Sequence, residues 1–201
     1  MISPSLWWDP VEEFWATQRY SIEQELKRKS AFGSCWTVGQ KNDALWQIYS
    51  RKAPAIRVRT SAAKLVTAIE HAPELASGKI FAGRVAYLSD KEMINRAARL
   101  SSAAANKDSS RHLAKGMMMK REAYGFEDEL RLVWIKSGLS RKKSVAVKID
   151  PRLLFDQIRI DPRLDPAVAE AVASVLSRLS LISDCKQSTL RVWEYPKPES
   201  A

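Results

Sequence analysis

The chain of 201 residues carries 33 Lys and Arg against 23 Asp and Glu, a net charge of +10, with 45% hydrophobic residues and seven tryptophans. That apolar content excludes a chain that never packs, and apolar runs no longer than a strand exclude a bilayer-spanning helix. Two cysteines are too few for a thiolate zinc set or a disulfide framework, and a start without a leader-like pattern makes the cytoplasm the expected compartment.

In chain order, residues 1–10 read as an irregular arm closed by Asp9 as a helix cap and Pro10 in the first helical turn. Val11, Phe14, Trp15, Ile22 and Leu26 then predict a helix ending at the basic run Lys27-Arg28-Lys29. A strand is predicted over 31–38, a helix over 41–50 and, beyond Pro54, an alternating strand over 56–60. Ser61 can cap a helix that turns Leu65, Ala68 and Ile69 inward, and a loop with Pro73 and Gly78 leads to a strand over 80–87. Asp90 is expected to cap the next helix, followed by a mobile break over 101–110, where small polar residues crowd together. A helix from Arg111 takes in Met117, Met118 and Met119 as adaptable packing residues. Strands over 129–136 and 144–149 flank Ser137-Gly138 and predict a hairpin. A strand over 158–160, a helix opened by Asp165-Pro166, a closing strand over 189–195 and a disordered tail over 196–201 complete the chain. The sum is one α+β domain over 1–201, a mixed or antiparallel sheet with several packed helices.

No hydrolase elbow, Walker loop, GxGxxG fingerprint or HExxH occurs. His71 and His112 have no second ligand at metal spacing, so no metal site is expected, and Cys35 and Cys185 read as small buried hydrophobes. The densest chemistry lies in residues 120–131, where four acids and three bases surround an expected helix-to-strand junction. On an extended segment Glu127, Glu129 and Arg131 share a face, so Arg131 can orient one carboxylate while the other faces a cleft as a general base or a partner for a sugar hydroxyl. Salt bridges along a strand edge account for the same residues. A second candidate is the strand with Ser34 and Trp36, a hydroxyl beside an aromatic floor, which Trp46 and Tyr49 of the following helix could extend into a pocket for a planar ligand. Core packing accounts for these four equally well.

The segments Ser34-Cys35-Trp36-Thr37, Ala44-Leu45-Trp46, Tyr49-Ser50 and 56–60 resemble, in order, an uncharacterised bacterial and phage family, domain-of-unknown-function family 2971. The loop over 4–12, the block over 126–131, Val85 and Tyr87, the segment 158–162 and Ser188 extend the likeness over most of the chain. The family usually has a further strand motif before that loop, so the resemblance implies a missing N-terminal piece, and Asn42-Asp43 stands where relatives tend to have Glu-Ser. The family's layout is similar to the three-part arrangement of ADP-ribosyltransferases. On that analogy NAD would be bound, with Glu129 stabilising the oxocarbenium-like ribosyl group, Glu127 orienting the acceptor, Ser34 supporting the ribose, and Trp36 or Tyr49 stacking on nicotinamide.

A different class follows from charge. Residues 111–148 hold ten Lys and Arg against four acids, and Arg111, Lys115, Lys120, Arg121, Arg141, Lys142 and Lys143 would form a groove for a nucleic-acid backbone or a phosphorylated ligand. The family's setting adds a third class, a protein that binds a protein partner in a toxin or phage-defence system. The sequence leaves open whether the chain is an enzyme.

Overall fold

The computed structural model describes residues 1–3, 7, 12, 29–38, 43–50, 54–103, 109–138, 140, 142–179 and 184–190. In chain order these form β1 (Lys29–Thr37), α1 (Asp43–Tyr49), β2 (Ile56–Arg59), α2 (Ala62–Glu70), β3 (Gly78–Arg84), β4 (Ala86–Leu88), α3 (Asp90–Ala103), α4 (Ser109–Gly116), β5 (Met119–Arg121), β6 (Glu129–Ser137), α5 (Pro151–Leu154), β7 (Gln157–Ile160), α6 (Pro166–Arg178) and β8 (Cys185–Gln187). The fold is α+β, and the chain divides into two compact units: residues 1–39 with 66–148, and residues 40–65 with 149–201.

In the first unit β6 is the centre of an antiparallel sheet of order β1-β6-β3, while β4 and β5 pair in parallel. Residues 131–135 are buried without interruption, as a strand covered on both faces requires. On one face Val133 and Ile135 join Met93 of α3, Leu113 of α4 and Met117 just beyond it in the core. On the other, Trp134 lies 5.6 Å from Phe32 between ring centroids and donates from its indole to the Leu75 carbonyl at 2.9 Å.

The predicted hairpin of 129–136 with 144–149 does not form. β1 and β3 occupy both edges of β6, and Ser144 makes only an isolated bridge to Ile2, which also bridges Gly33. The strand expected over 80–87 is two strands, because the chain changes partner at Val85: Val85 N donates to the Glu129 carbonyl and Ala86 N to the Met118 carbonyl, each at 2.9 Å. Helix α3 is capped by Ser89 rather than Asp90. The Ser89 amide and hydroxyl donate to Glu92 at 3.0 and 2.6 Å, closing a reciprocal capping box with the Glu92 amide. Of the break expected over 101–110, positions 101–103 belong to α3 and the buried Ser109 and Ser110 open α4, while positions 104–108 lie outside the described residues. Helix α4 stops at Gly116, and Met119 enters β5.

In the second unit β2 pairs antiparallel and β8 parallel to β7, with α6 packed against β7 and β8. Asp165 caps α6 as expected, accepting from the amides of Ala167 and Val168 at 2.9 and 3.4 Å. Asp150 caps the short α5 in the same manner through the Arg152 amide. Asp161, only 2% exposed, is held by Arg163 Nε at 2.8 Å and Ser50 Oγ at 3.0 Å, which ties the end of α1 to the end of β7. The predicted helix over 11–26, apart from Glu12, lies outside the described residues, as do positions 191–195 of the closing strand and the tail. No helix among the described residues is long and apolar enough to cross a membrane.

Candidate functional site

The face of β6 that carries Val133 and Ile135 becomes polar toward its start, at Arg131 and Glu129. Register sets what stands beside them. Cys35 lies opposite Arg131 and Thr37 opposite Glu129, so these β1 side chains share that face, whereas Ser34 and Trp36 lie opposite Leu132 and Leu130 on the other. The expected pocket joining Ser34 and Trp36 to Glu129 is therefore not assembled; the Trp36 indole instead donates to Ser34 Oγ at 3.0 Å. Trp46 is a buried residue of the second unit, and Tyr49, on the same helix, is 67% exposed. Cys35 is exposed rather than a buried hydrophobe. Protein atoms still crowd its thiol and, despite Arg131, push its pKa up to about 12, with Glu129 beside it adding to the rise.

Five buried ionisable residues converge on this face: Glu12, Lys120, Glu127, Glu129 and Arg131. Arg131 donates from Nε to Glu129 Oε2 at 2.6 Å and from Nη2 to Glu129 Oε1 at 3.2 Å, a two-pronged grip, while its Nη1 reaches the Met117 carbonyl at 2.7 Å. Its Nη2 also donates to Glu12. Lys120, delivered by β5, donates to Glu127 and, at 3.0 Å, to Glu129, and its Nζ lies 3.8 Å from Glu12. Trp7 covers the guanidinium of Arg131 at 4.6 Å from the ring centroid, and Tyr124 lies 4.7 Å from the Lys120 ammonium. Glycine is required at position 33 because a Cβ there would enter the Trp7 ring.

The chain between the two carboxylates explains how both point inward. Residues 122–127 form a 3-10 turn rather than an extended strand, and Asp128 closes it in the left-handed region at φ 41°, which a short polar side chain tolerates. Asp128 then pairs outward with Arg84, and the Glu129 amide donates to the Tyr87 hydroxyl at 2.9 Å.

This arrangement splits the two carboxylates. Burial raises the Glu127 pKa, as does its hydrogen bond with Glu129, and Lys120 only partly offsets them, leaving it at about 7. Burial acts on Glu129 too, but the hydrogen bonds from Arg131 and Glu127 and the two cations outweigh it and hold Glu129 well below the ordinary range. At neutral pH the pair can share a proton that belongs mainly to Glu127, with Glu129 a fixed anion; two carboxyl groups pushed apart in this way are suited to one acid-base role and one charge-stabilising role.

Glu12 and Trp7 are the members that sequence reasoning missed. A carboxylate inside the apolar helical pattern over 11–26 was the available signal for Glu12, and Gly33, where a ring must lie flat on a strand, for Trp7. The basic groove expected along 111–148 is not assembled as one surface. Lys120 is buried among carboxylates, and Arg121 is half-buried against Tyr124. Lys142 and Lys143 are exposed in the segment that returns after β6 to run beside the N-terminus, where the Ser3 amide donates to the Lys143 carbonyl at 2.8 Å. Arg141 lies outside the described residues. Among the described residues no group of three or more His, Cys, Asp or Glu could hold a metal ion. Compared with known proteins, the chain matches no family model, no curated protein and no solved structure.

Proposed function

We propose that the carboxylate pair is the reaction centre of an ADP-ribosyltransferase-like enzyme that opens the N-glycosidic bond of NAD. The observation that carries this reading is the convergence of Glu127 and Glu129 on Lys120 in one buried cluster, with Arg131 gripping Glu129 through two hydrogen bonds. Cleavage sends the bonding electrons to nicotinamide and leaves positive charge on the ribosyl carbon, which an ionised Glu129 fixed by Arg131 and Lys120 can stabilise without reorganising. The acceptor, a hydroxyl or water, then forms the new bond to that carbon and gives up its proton, which a deprotonated Glu127 can take. Cys35 and Thr37, opposite Arg131 and Glu129 on β1, are exposed, and Tyr87 beside Glu129 is half-buried, so a substrate reaching the pair would meet these three side chains.

Nicotinamide release from NAD by the purified chain tests this. Glu129→Gln and Glu127→Gln should each lower the rate by about tenfold or more, the loss of one charge-stabilising or proton-transferring group. A rate unchanged in both variants, or absent in the native chain across acceptors, contradicts the reading.

A further inference from the structure

A separate cavity of about 790 Å³ opens in the first unit between α3, α4 and the strands β3 and β4. Its wall is built by helical spacing: Glu92, Asn95, Arg96 and Arg99 recur at three and four residue steps along α3, and Lys115 stands three residues after His112 on α4. Arg84, from the end of β3, completes the cationic side. The lining thus carries four permanent cations and one carboxylate; Arg84 is paired with Asp128, and Glu92 is engaged at the helix start, where it accepts from the Ser89 amide and hydroxyl. The remaining lining is apolar, from Ala86, Leu88, Leu100 and Met118.

From this combination we infer that the cavity binds a nucleoside phosphate, with the phosphates on Arg96, Arg99 and Lys115 and the planar base on the apolar floor. The size points to a small ligand rather than a polymer, since sites for small molecules run from roughly 300 to 1,000 Å³. Arginine supplies a planar fork for phosphate oxygens, and a base has apolar faces that Leu88, Leu100 and Met118 can cover. This inference does not rest on the carboxylate pair, because the lining residues belong to a different set.

Calorimetric titration of the full chain with ADP, inorganic pyrophosphate, adenosine and a short single-stranded oligonucleotide tests it. Expected is saturable 1:1 binding of ADP, weaker binding of pyrophosphate, and none of adenosine alone. Arg96→Glu with Arg99→Glu should weaken ADP by about tenfold or more, the loss of charged hydrogen bonds. Lys142→Glu with Lys143→Glu, the same change in net charge placed elsewhere, should leave ADP binding unchanged. If the double arginine variant fails to fold by circular dichroism, Lys115→Gln serves in its place and should weaken ADP severalfold. No binding of ADP, equal weakening by the two charge reversals, or oligonucleotide binding without ADP binding overturns the inference. Glu129→Gln should bind ADP as the native chain does, so failure of the glycosyl-transfer reading would leave this result intact.

Discussion

Glu127 and Glu129 stand two residues apart, yet the groups around them drive ionisation in opposite directions. Because burial lifts Glu127 from an ordinary 4.5 to about 7, its contribution to stability is complete below about pH 4.5 and is lost as pH rises through about 7. Glu129 has the opposite sign: its contribution is present above its ordinary value and is lost only as pH falls through its depressed one. Urea unfolding between pH 5 and 8 should therefore show stability falling with pH in the native chain, and less so in Glu127→Gln; the same slope in both would remove Glu127 as its source. Truncating one side of the cluster is costlier. Arg131→Met leaves Glu129 and Glu12 without their main partner and should destabilise by about 3–5 kcal/mol, read from the urea midpoint. At this scale the sequence was partly legible. Alternation along a strand gave the Glu129 and Arg131 pairing, but Lys120, read as a phosphate ligand, is an internal counter-ion, because a parallel pairing with β4 turns β5 inward.

The elements themselves were legible wherever a local rule decides them. The alternating strand at 56, the helix opened by Asp165 and Pro166, and the start of β6 fall where turn chemistry and apolar spacing placed them. Asp165→Ala should accordingly cost about 1 kcal/mol, the usual value of an N-cap, and an unchanged urea midpoint would contradict the cap's role. Pairing was not legible in the same way. The hairpin at 137 looked favourable locally, but β1 and β3, both distant in sequence, take the two edges of β6. Close packing of that sheet makes a further claim. At Gly78 an added methyl would meet the Trp134 indole and lie 2.6 Å from the Ile135 carbonyl oxygen, whereas at Gly83 it meets only the flexible Met118 side chain. Gly78→Ala should cost about 1–3 kcal/mol and Gly83→Ala distinctly less. Equal melting temperatures for the two variants would show that β3 does not pack as described.

For the molecule as a whole, the net charge of +10 had suggested one basic groove along residues 111–148. In the fold those cations go to different tasks: Lys120 and Arg131 neutralise buried carboxylates, Lys115 faces the cavity, and Lys142 and Lys143 are exposed on the segment that runs beside the N-terminus. Composition could not reveal this, because charge counted along a chain carries no information on which strand turns a side chain inward. The pattern that matters is a buried carboxylate pair in the first unit, supported by residues from β5, β6 and Glu12. The most direct test of that centre is nicotinamide release from NAD as a function of pH, in the native chain and in Glu129→Gln. In the native chain the rate should rise through about pH 7 as Glu127 loses its proton and then level, and Glu129→Gln should fold but release nicotinamide about tenfold more slowly or slower still. A pH-independent rate, or equal release by native chain and variant, would contradict it.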